Sequence, residues 1–134
     1  MMSRKAYTWH GPKANKYGSS KVKCDGIVFD SAKEAQRYYA LKTKELNGEI
    51  EDLQLQVKYV LIPSQYEIYG YTKNGTPVKG KLLERECSYY ADFVYKDVKT
   101  NKTIVEDTKG VRTTDYVIKR KLMLYIHGIK IQEI

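Results

Sequence analysis

Two strand-like segments joined by a polar turn, at residues 89–110, constrain the fold of this chain more than any other feature. Tyr89 to Tyr95 is rich in aromatic and β-branched residues, and this character returns from Lys102 to Val105. The segment that connects them, KDVKTNK, is crowded with turn-forming residues. The pattern therefore predicts a β-hairpin around which the rest of the protein is built.

Three charged residues of this hairpin are candidates for a metal site. Successive side chains of a strand point to opposite faces, so Asp107 and Lys109 share one face while Glu106 and Thr108 share the other. Asp92, on the preceding strand, lies opposite them if the hairpin register allows it. Two close carboxylates are the usual oxygen ligands of a hard divalent cation, and the lysine adds a positive charge beside them.

These residues resemble the signature of the PD-(D/E)XK nucleases, with Asp92 as the first acid and Asp107-Thr108-Lys109 as the acid-x-lysine motif. The wider pattern is similar to small phage-encoded nucleases described as Holliday junction resolvases. It consists of GIVFDSAKEAQRYY, IEDLQLQVKYVLIP, YYADFVY and VEDTKG. The resemblance extends from about Lys16 to the C-terminus, with a less similar insertion at about Ser64 to Lys81.

The resemblance implies a restriction-endonuclease-like mixed β-sheet and hydrolysis of DNA phosphodiester bonds, with a preference for Holliday junctions or other branched DNA. Asp92 and Asp107 would hold Mg²⁺, or Mn²⁺ in its place, and Lys109 would orient or help deprotonate the attacking water. An acid on the first helix joins the site in similar nucleases, and Glu34 is the matching position. Junction cutting would also suit a homodimer, because paired nicks need two active sites.

Glu34 has a second explanation that the sequence leaves open. Ser31-Ala32-Lys33-Glu34 has the pattern of a capping box, which predicts a helix that runs to about Leu46 and ends at Asn47-Gly48. A glutamate that bonds back to the backbone of Ser31 would turn its carboxylate away from a metal. The two roles are therefore alternatives.

A second acid-x-lysine match, Asp97-Val98-Lys99, lies only a few residues after Asp92. Asp97 sits among lysines and turn formers with no apolar segment after it, whereas Asp107 follows Thr103-Ile104-Val105. We therefore interpret Asp97 as a turn residue.

The other segments complete an α+β or α/β fold, in which helices flank a mixed sheet and an extra β-hairpin projects. Alternation from Ile50 to Ile62 predicts one long strand whose odd-numbered apolar residues share a face. The first helix is expected to bury Ala35, Tyr38, Tyr39 and Leu46. The remaining predicted elements are a leading hairpin around Asp25-Gly26, an extended hairpin with an Asn74-Gly75 turn, a helix from Thr113-Thr114-Asp115 to His127, and a strand from Ile129 to Ile134.

The charge of the chain favours a polyanionic partner. Its formal net charge is +8, and DNA is preferred to an anionic membrane because no basic amphipathic helix stands out. Seven residues are candidates for DNA contact, with Gln56 the weakest: Lys21, Gln56, Lys79, Lys81, Arg112, Lys119 and Lys121. A nucleic-acid-binding protein without catalysis, or a phage protein that binds a host protein, remain the alternatives.

The length and the apolar pattern bound the organisation of the chain. At 134 residues it predicts a single nuclease-like domain at 21–134, preceded by a basic, flexible arm at 1–20 that is rich in glycine and serine. We expect no membrane span and no signal peptide, hence a cytoplasmic protein, in the bacterial host if the gene is carried by a phage. Cys24 and Cys87 suggest buried thiols and no disulfide.

Overall fold

The computed structural model describes residues 21–134 and shows an α+β fold with a mixed sheet. The predicted arm at residues 1–20 lies outside the described residues. No helix within 21–134 is long and apolar enough to cross a bilayer. The elements, in chain order, are β1 (Val22–Cys24), β2 (Ile27–Phe29), α1 (Ala32–Leu46), β3 (Ile50–Ile62), β4 (Gln65–Tyr71), β5 (Pro77–Glu84), β6 (Cys87–Asp97), β7 (Lys102–Asp107), α2 (Thr114–His127) and β8 (Gln132–Glu133).

Four strands form the central sheet in the order β3-β6-β7-β8. The predicted hairpin is present as β6 and β7, which pair antiparallel with Phe93 opposite Glu106. β8 adds to β7 in parallel through Gln132 and Glu133. The last strand is therefore shorter than predicted, and β3 forms one edge of the sheet.

Both small hairpins of the prediction are confirmed. Asp25 and Gly26 join β1 to β2 with φ angles of 50° and 75°, the left-handed conformation that an Asp-Gly turn tolerates. β4 and β5 form a separate two-stranded ribbon closed by a turn that contains Asn74 and Gly75. The ribbon exposes apolar side chains such as Tyr71 and leads back into β6.

The helix ends follow the predicted capping residues. Ser31 caps α1 by accepting a hydrogen bond from the Glu34 N–H, and Thr113 caps α2 through the Tyr116 N–H. Gly128 ends α2 in the left-handed conformation. At the turn after β6, the Asp97 carboxylate accepts from the backbone of the two residues that follow Val98, which confirms its interpretation as a turn residue.

Two apolar clusters pack the helices onto the sheet. The α1 cluster contains Ala35, Tyr38 and Leu41 of the helix, and the α2 cluster contains Tyr116 and Met123. The predicted buried face of α1 was partly wrong. Tyr39 is 55% exposed and Leu46 86% exposed, because a face centred on positions 34, 38 and 41 leaves both residues at its margin.

The single apolar face predicted for β3 is also wrong. Leu55 packs against the α1 cluster, but Val57, two residues later, packs against the α2 cluster. Gln56 between them has a φ of 51°, which interrupts the regular alternation of a strand. The neighbouring strand β6 passes from one apolar cluster to the other at the same level of the sheet: Phe93 belongs to the α1 cluster and Ala91 to the α2 cluster.

Candidate metal centre

A cavity of about 380 Å³, here called the site cleft, opens between the start of α1, β6 and the segment that follows β7. It brings together residues that lie far apart in sequence. Its lining residues are Asp30, Ser31, Lys33, Glu34, Asp92, Thr108, Lys109, Gly110, Val111 and Thr113. Three of the predicted site residues, Glu34, Asp92 and Lys109, therefore share one cavity.

Asp107, the fourth, is fully buried at the end of β7. The Tyr89 hydroxyl donates a hydrogen bond to Oδ2, and Lys109 Nζ lies 3.2 Å from Oδ1 as an ion pair. The Lys109 ammonium is the one partner that Oδ1 has among residues 21–134. Burial, followed by the negative charge of Asp92, raises the pKa of the Asp107 carboxyl, while the Tyr89 bond and Lys109 lower it.

Asp92 is tied to both of its neighbouring strands. Its Oδ2 accepts hydrogen bonds of 2.9 Å from the backbone N–H and from the hydroxyl of Thr108, just past the end of β7. Its Oδ1 accepts one of 3.0 Å from Gln56 Nε2 on β3. These bonds hold the carboxylate at the cleft, beside the acid-x-lysine motif as predicted.

The Glu34 carboxylate lies at the same place. Ser31 caps α1 through its hydroxyl, but the buried Glu34 side chain accepts a 3.3 Å hydrogen bond from Gln56 Nε2. Burial raises the pKa of Glu34 to about 7, and the negative charges of Asp92 and Asp30 add to the effect. Of the two roles that the sequence left open, the structure supports a place for this carboxylate beside Asp92.

Lys109 is held in a fixed position near Asp107. Its ammonium lies 4.6 Å from the centre of the Tyr116 ring, where a cation–π contact adds to the ion pair with the carboxylate. The lysine thus projects from the segment after β7 toward the cleft that it lines. It places a single positive charge next to the acids.

The predicted DNA contacts are spread over the surface. Gln56 lies between Glu34 and Asp92, whereas Lys79 and Lys81 are on the β5 strand of the ribbon, with Lys79 Nζ 5.1 Å from the centre of the Tyr66 ring. Arg112 pairs with Glu133, which also receives a 2.8 Å hydrogen bond from Arg120. Lys21 and Lys121 are exposed, Lys119 is half-buried, and none of these basic residues lines the site cleft.

Two residues that position the acids were missed in the sequence. Thr108 occupies the middle of the acid-x-lysine motif, and its hydroxyl and N–H hold Asp92. Tyr89 begins the aromatic run of β6 and reaches Asp107 across the sheet. The position of Thr108 inside the motif could have indicated its role, whereas the contact of Tyr89 depends on strand register.

A buried polar network on the other side of β7 was missed as well. Glu106 is fully buried and accepts hydrogen bonds from Arg37 Nε at 2.8 Å and from the Tyr95 hydroxyl at 2.6 Å. Arg37 stands on α1 one turn after Glu34. The network fastens α1 to the motif strand and so supports the position of the site acids.

The donor set fits a small, hard divalent cation. Carboxylate oxygens suit Mg²⁺, which needs only one or two of them because it retains several waters. A carboxylate oxygen has two lone pairs, so the buried Asp107 Oδ1, which pairs with the Lys109 ammonium, could also bind a cation. No group of three or more His, Cys, Asp or Glu side chains in residues 21–134 stands in a complete metal-binding arrangement. The carboxylates are therefore close to one another, but they do not form a complete set of metal ligands.

One comparison with known proteins places the chain in a family. A family model described as "Protein of unknown function (DUF1064)" matches residues 14–132. The chain belongs to this family. No curated protein matches the chain, and no solved structure matches it. The family description assigns no activity to its members, so the function has to be argued from the site itself.

Proposed function

We propose that this member of the DUF1064 family is a Mg²⁺-dependent endodeoxyribonuclease with a restriction-endonuclease-like fold, and that branched DNA such as a Holliday junction is its substrate. The observation that carries the proposal is the grouping of Glu34, Asp92 and Lys109 in one cleft, beside the buried Asp107 carboxylate. Burial of the Asp107 carboxylate is costly, and its ion pair with Lys109 offsets only part of that cost, because the pKa of Asp107 is still raised.

Each side chain at the cleft has a task in this chemistry. Asp92 and Asp107 would hold the cation, with Glu34 as a third acid. When bound, the cation would polarise the scissile phosphate and favour ionisation of the attacking water. Lys109, with its Nζ 3.2 Å from Asp107, would orient that water through its ammonium group, and its charge would offset the charge that develops on the phosphate.

DNA would be held by basic residues outside the cleft. The ribbon strand carries Lys79 and Lys81, and Lys121 is exposed on α2. Contacts of this kind neutralise phosphates and position the duplex without reading its sequence. Two copies acting on one junction would supply paired nicks, in the cytoplasm of a bacterial host if the gene belongs to a phage.

The proposal is tested by cleavage of a labelled four-way junction and a linear duplex of matched sequence, with Mg²⁺ present. We expect Asp107→Asn to lower the single-turnover rate by about a hundredfold or more, since it removes a ligand of the cation. Asp97→Asn, in the neighbouring acid-x-lysine match, is the matched control and should leave the rate unchanged. Equal losses in the two variants would contradict the assignment of the motif.

The alternatives have their own outcomes in the same experiment. A nucleic-acid-binding protein without catalysis would bind the junction in a salt-dependent manner and leave it intact with any divalent cation. A protein that acts on a host protein would show neither cleavage nor salt-dependent binding. Either result would reject the proposed hydrolysis.

A further inference from the structure

The side-chain amide of Gln56 makes an unusual bridge between two acids. Its Nε2 donates to Glu34 Oε1 at 3.3 Å and to Asp92 Oδ1 at 3.0 Å. These acids come from α1 and β6, while Gln56 belongs to β3, so three elements meet at one amide group. Both amide hydrogens are thus directed at carboxylates.

The backbone of Gln56 is strained in a way that serves this bridge. A φ of 51° is uncommon for a residue other than glycine and is unfavourable for a glutamine. It falls between the regular pairs Leu55–Phe93 and Val57–Ala91, where an ordinary extended residue would continue the strand. The positive φ thus coincides with the position at which the Gln56 side chain lies between Glu34 and Asp92.

The Gln56 amide brings partial positive charge to the two acids, in the place where a bound cation would bring a full charge. Glu34 and Asp92 each present a carboxylate oxygen to the same amide nitrogen, so two acids lie close together there. The hydrogens of an amide NH₂ carry partial positive charge and relieve part of the repulsion between them. A divalent cation bound by the same oxygens supplies much more positive charge, and it repels the NH₂ group.

We propose that the Gln56 amide stands in for the divalent cation in the metal-free protein and is displaced when a cation binds to Glu34 and Asp92. The inference rests on the metal centre proposed above, and it adds what holds the Glu34 and Asp92 carboxylates together when no cation is bound. Gln56 is exposed, so its side chain can swing into solvent without disturbing either apolar cluster. Gln56 is a positioning residue in this scheme.

The test compares Gln56→Ala with Gln54→Ala by calorimetric titration with Mn²⁺ and by thermal unfolding in a chelator and in saturating Mn²⁺. Gln54 is the matched control, because it lies on the same strand, is exposed, and donates only to Asp52 among the described residues. We expect Gln56→Ala to bind Mn²⁺ about tenfold more tightly, a factor that corresponds to about 1.4 kcal/mol, because the cation no longer has to displace the two hydrogen bonds of the amide. Its melting temperature should fall in the chelator and return to the wild-type value in saturating Mn²⁺.

Other outcomes overturn the inference in distinguishable ways. Unchanged affinity, with an equal loss of thermal stability in chelator and in Mn²⁺, would mean that the amide is only structural. Weaker Mn²⁺ binding would mean that Gln56 is a ligand or supports one. Absence of Mn²⁺ binding by the wild-type protein would reject the metal centre itself, and with it both proposals.

A measurement on the unaltered protein keeps the test independent of the stability of the variant. The side-chain NH₂ signals of glutamines are resolved in a nitrogen–proton correlation spectrum, and diamagnetic Mg²⁺ can be titrated without broadening them. The Gln56 signals should move as the amide leaves the two carboxylates, while the Gln54 signals stay in place. Gln56 signals that remain unchanged at saturating Mg²⁺ would show that the amide is not displaced.

Discussion

At the scale of single residues, the site is defined by how each carboxylate oxygen is satisfied. Asp92 accepts hydrogen bonds on both oxygens, whereas Asp107 accepts one from Tyr89 on Oδ2 and pairs with the Lys109 ammonium through Oδ1. Glu34 shares its donor, Gln56, with Asp92. The acids therefore differ in their partners, and Asp107 is the one whose negative charge is offset directly by a lysine.

Tyr89 should control how well Asp107 binds a cation. Tyr89→Phe removes the donor to Oδ2, and because this bond lowers the pKa of Asp107, its loss raises that pKa further. We expect Mn²⁺ affinity near neutral pH to fall about tenfold, the scale of a hydrogen bond to a charged group. Calorimetric titration with Mn²⁺ measures this affinity. Tyr95→Phe is the control, since it removes a donor to Glu106 instead, and it should weaken folding without weakening Mn²⁺ binding.

The raised pKa of Glu34 predicts a pH-dependent stability of the metal-free protein. The carboxyl titrates at about 7 when folded and near its ordinary value of 4.5 when unfolded, so the folded state binds the proton more strongly between these values. The free energy of unfolding should therefore fall as pH rises through this window and level off above about pH 7. Urea unfolding in a chelator, from about pH 5 to about pH 8, measures this decline.

Two variants isolate the contribution of Glu34 to this decline. Glu34→Gln removes the ionisable group and should flatten the pH profile. Glu45→Gln, on the same helix, is the control, because Lys42 lowers the pKa of Glu45 and its effect has the opposite sign. A wild-type profile without a decline, or an undiminished decline in Glu34→Gln, would contradict the placement of this carboxyl.

At the scale of elements, capping and turn residues were reliable guides, and side-chain faces were less so. The bounds of α1 and α2 follow from Ser31, Thr113 and Gly128, because these residues act on the backbone next to them. Which face of α1 is buried depends on the sheet beneath it, so Leu41 is buried where Tyr39 was expected. The apolar cluster against which β3 packs also changes at Gln56, again because the surrounding elements decide which side chains are buried.

The β4–β5 ribbon should contribute to DNA affinity and not to metal binding. Lys79 and Lys81 are exposed on β5, and replacing both with glutamine should weaken junction binding and lower the salt slope by about two units, roughly 0.9 for each phosphate that is no longer neutralised. Fluorescence anisotropy over a range of salt measures both quantities. The control removes the same charge at Lys42 and Lys96, which pair with acids. Similar losses in both double variants would mean that only net charge matters.

At the scale of the whole molecule, the site acids lie apart from the basic residues that we propose for DNA contact. The site cleft gathers Glu34, Asp92 and Lys109 where β6 and the end of β7 meet the start of α1, whereas the ribbon lysines stand on a separate two-stranded sheet. The formal net charge of +8 is spread well beyond the cleft, so most of the DNA attraction that we propose would come from residues outside it. Binding and cleavage should therefore respond to different treatments.

Removal of divalent cations should separate these two properties. A chelator should abolish junction cleavage, because the acids act through the cation, and should leave most of the DNA affinity, because lysines and arginines provide it. Gel-shift and cleavage assays on the same samples measure both, and restored Mg²⁺ should restore cutting. Cleavage that continues in the chelator would rule out the proposed mechanism.

The sequence by itself determined the elements with local causes. Turn pairs, helix caps and alternating apolar residues predicted the hairpins, the helix ends and the long strand, because each acts over a few neighbouring residues. The same local reasoning separated Asp107, after an apolar strand, from Asp97, in a turn. It also selected Asp92, Lys109 and Glu34 as candidates, with help from the family resemblance.

Only the tertiary structure decided what these candidates touch. The contact of Tyr89 with Asp107, the meeting of Glu34 and Asp92 at Gln56, and the Arg37–Glu106 network all join residues from different elements. Such contacts depend on strand register and on the packing of a helix against a sheet, which no local pattern encodes. A strained backbone such as that of Gln56 is likewise imposed by its surroundings, because its own residue type would favour an extended strand.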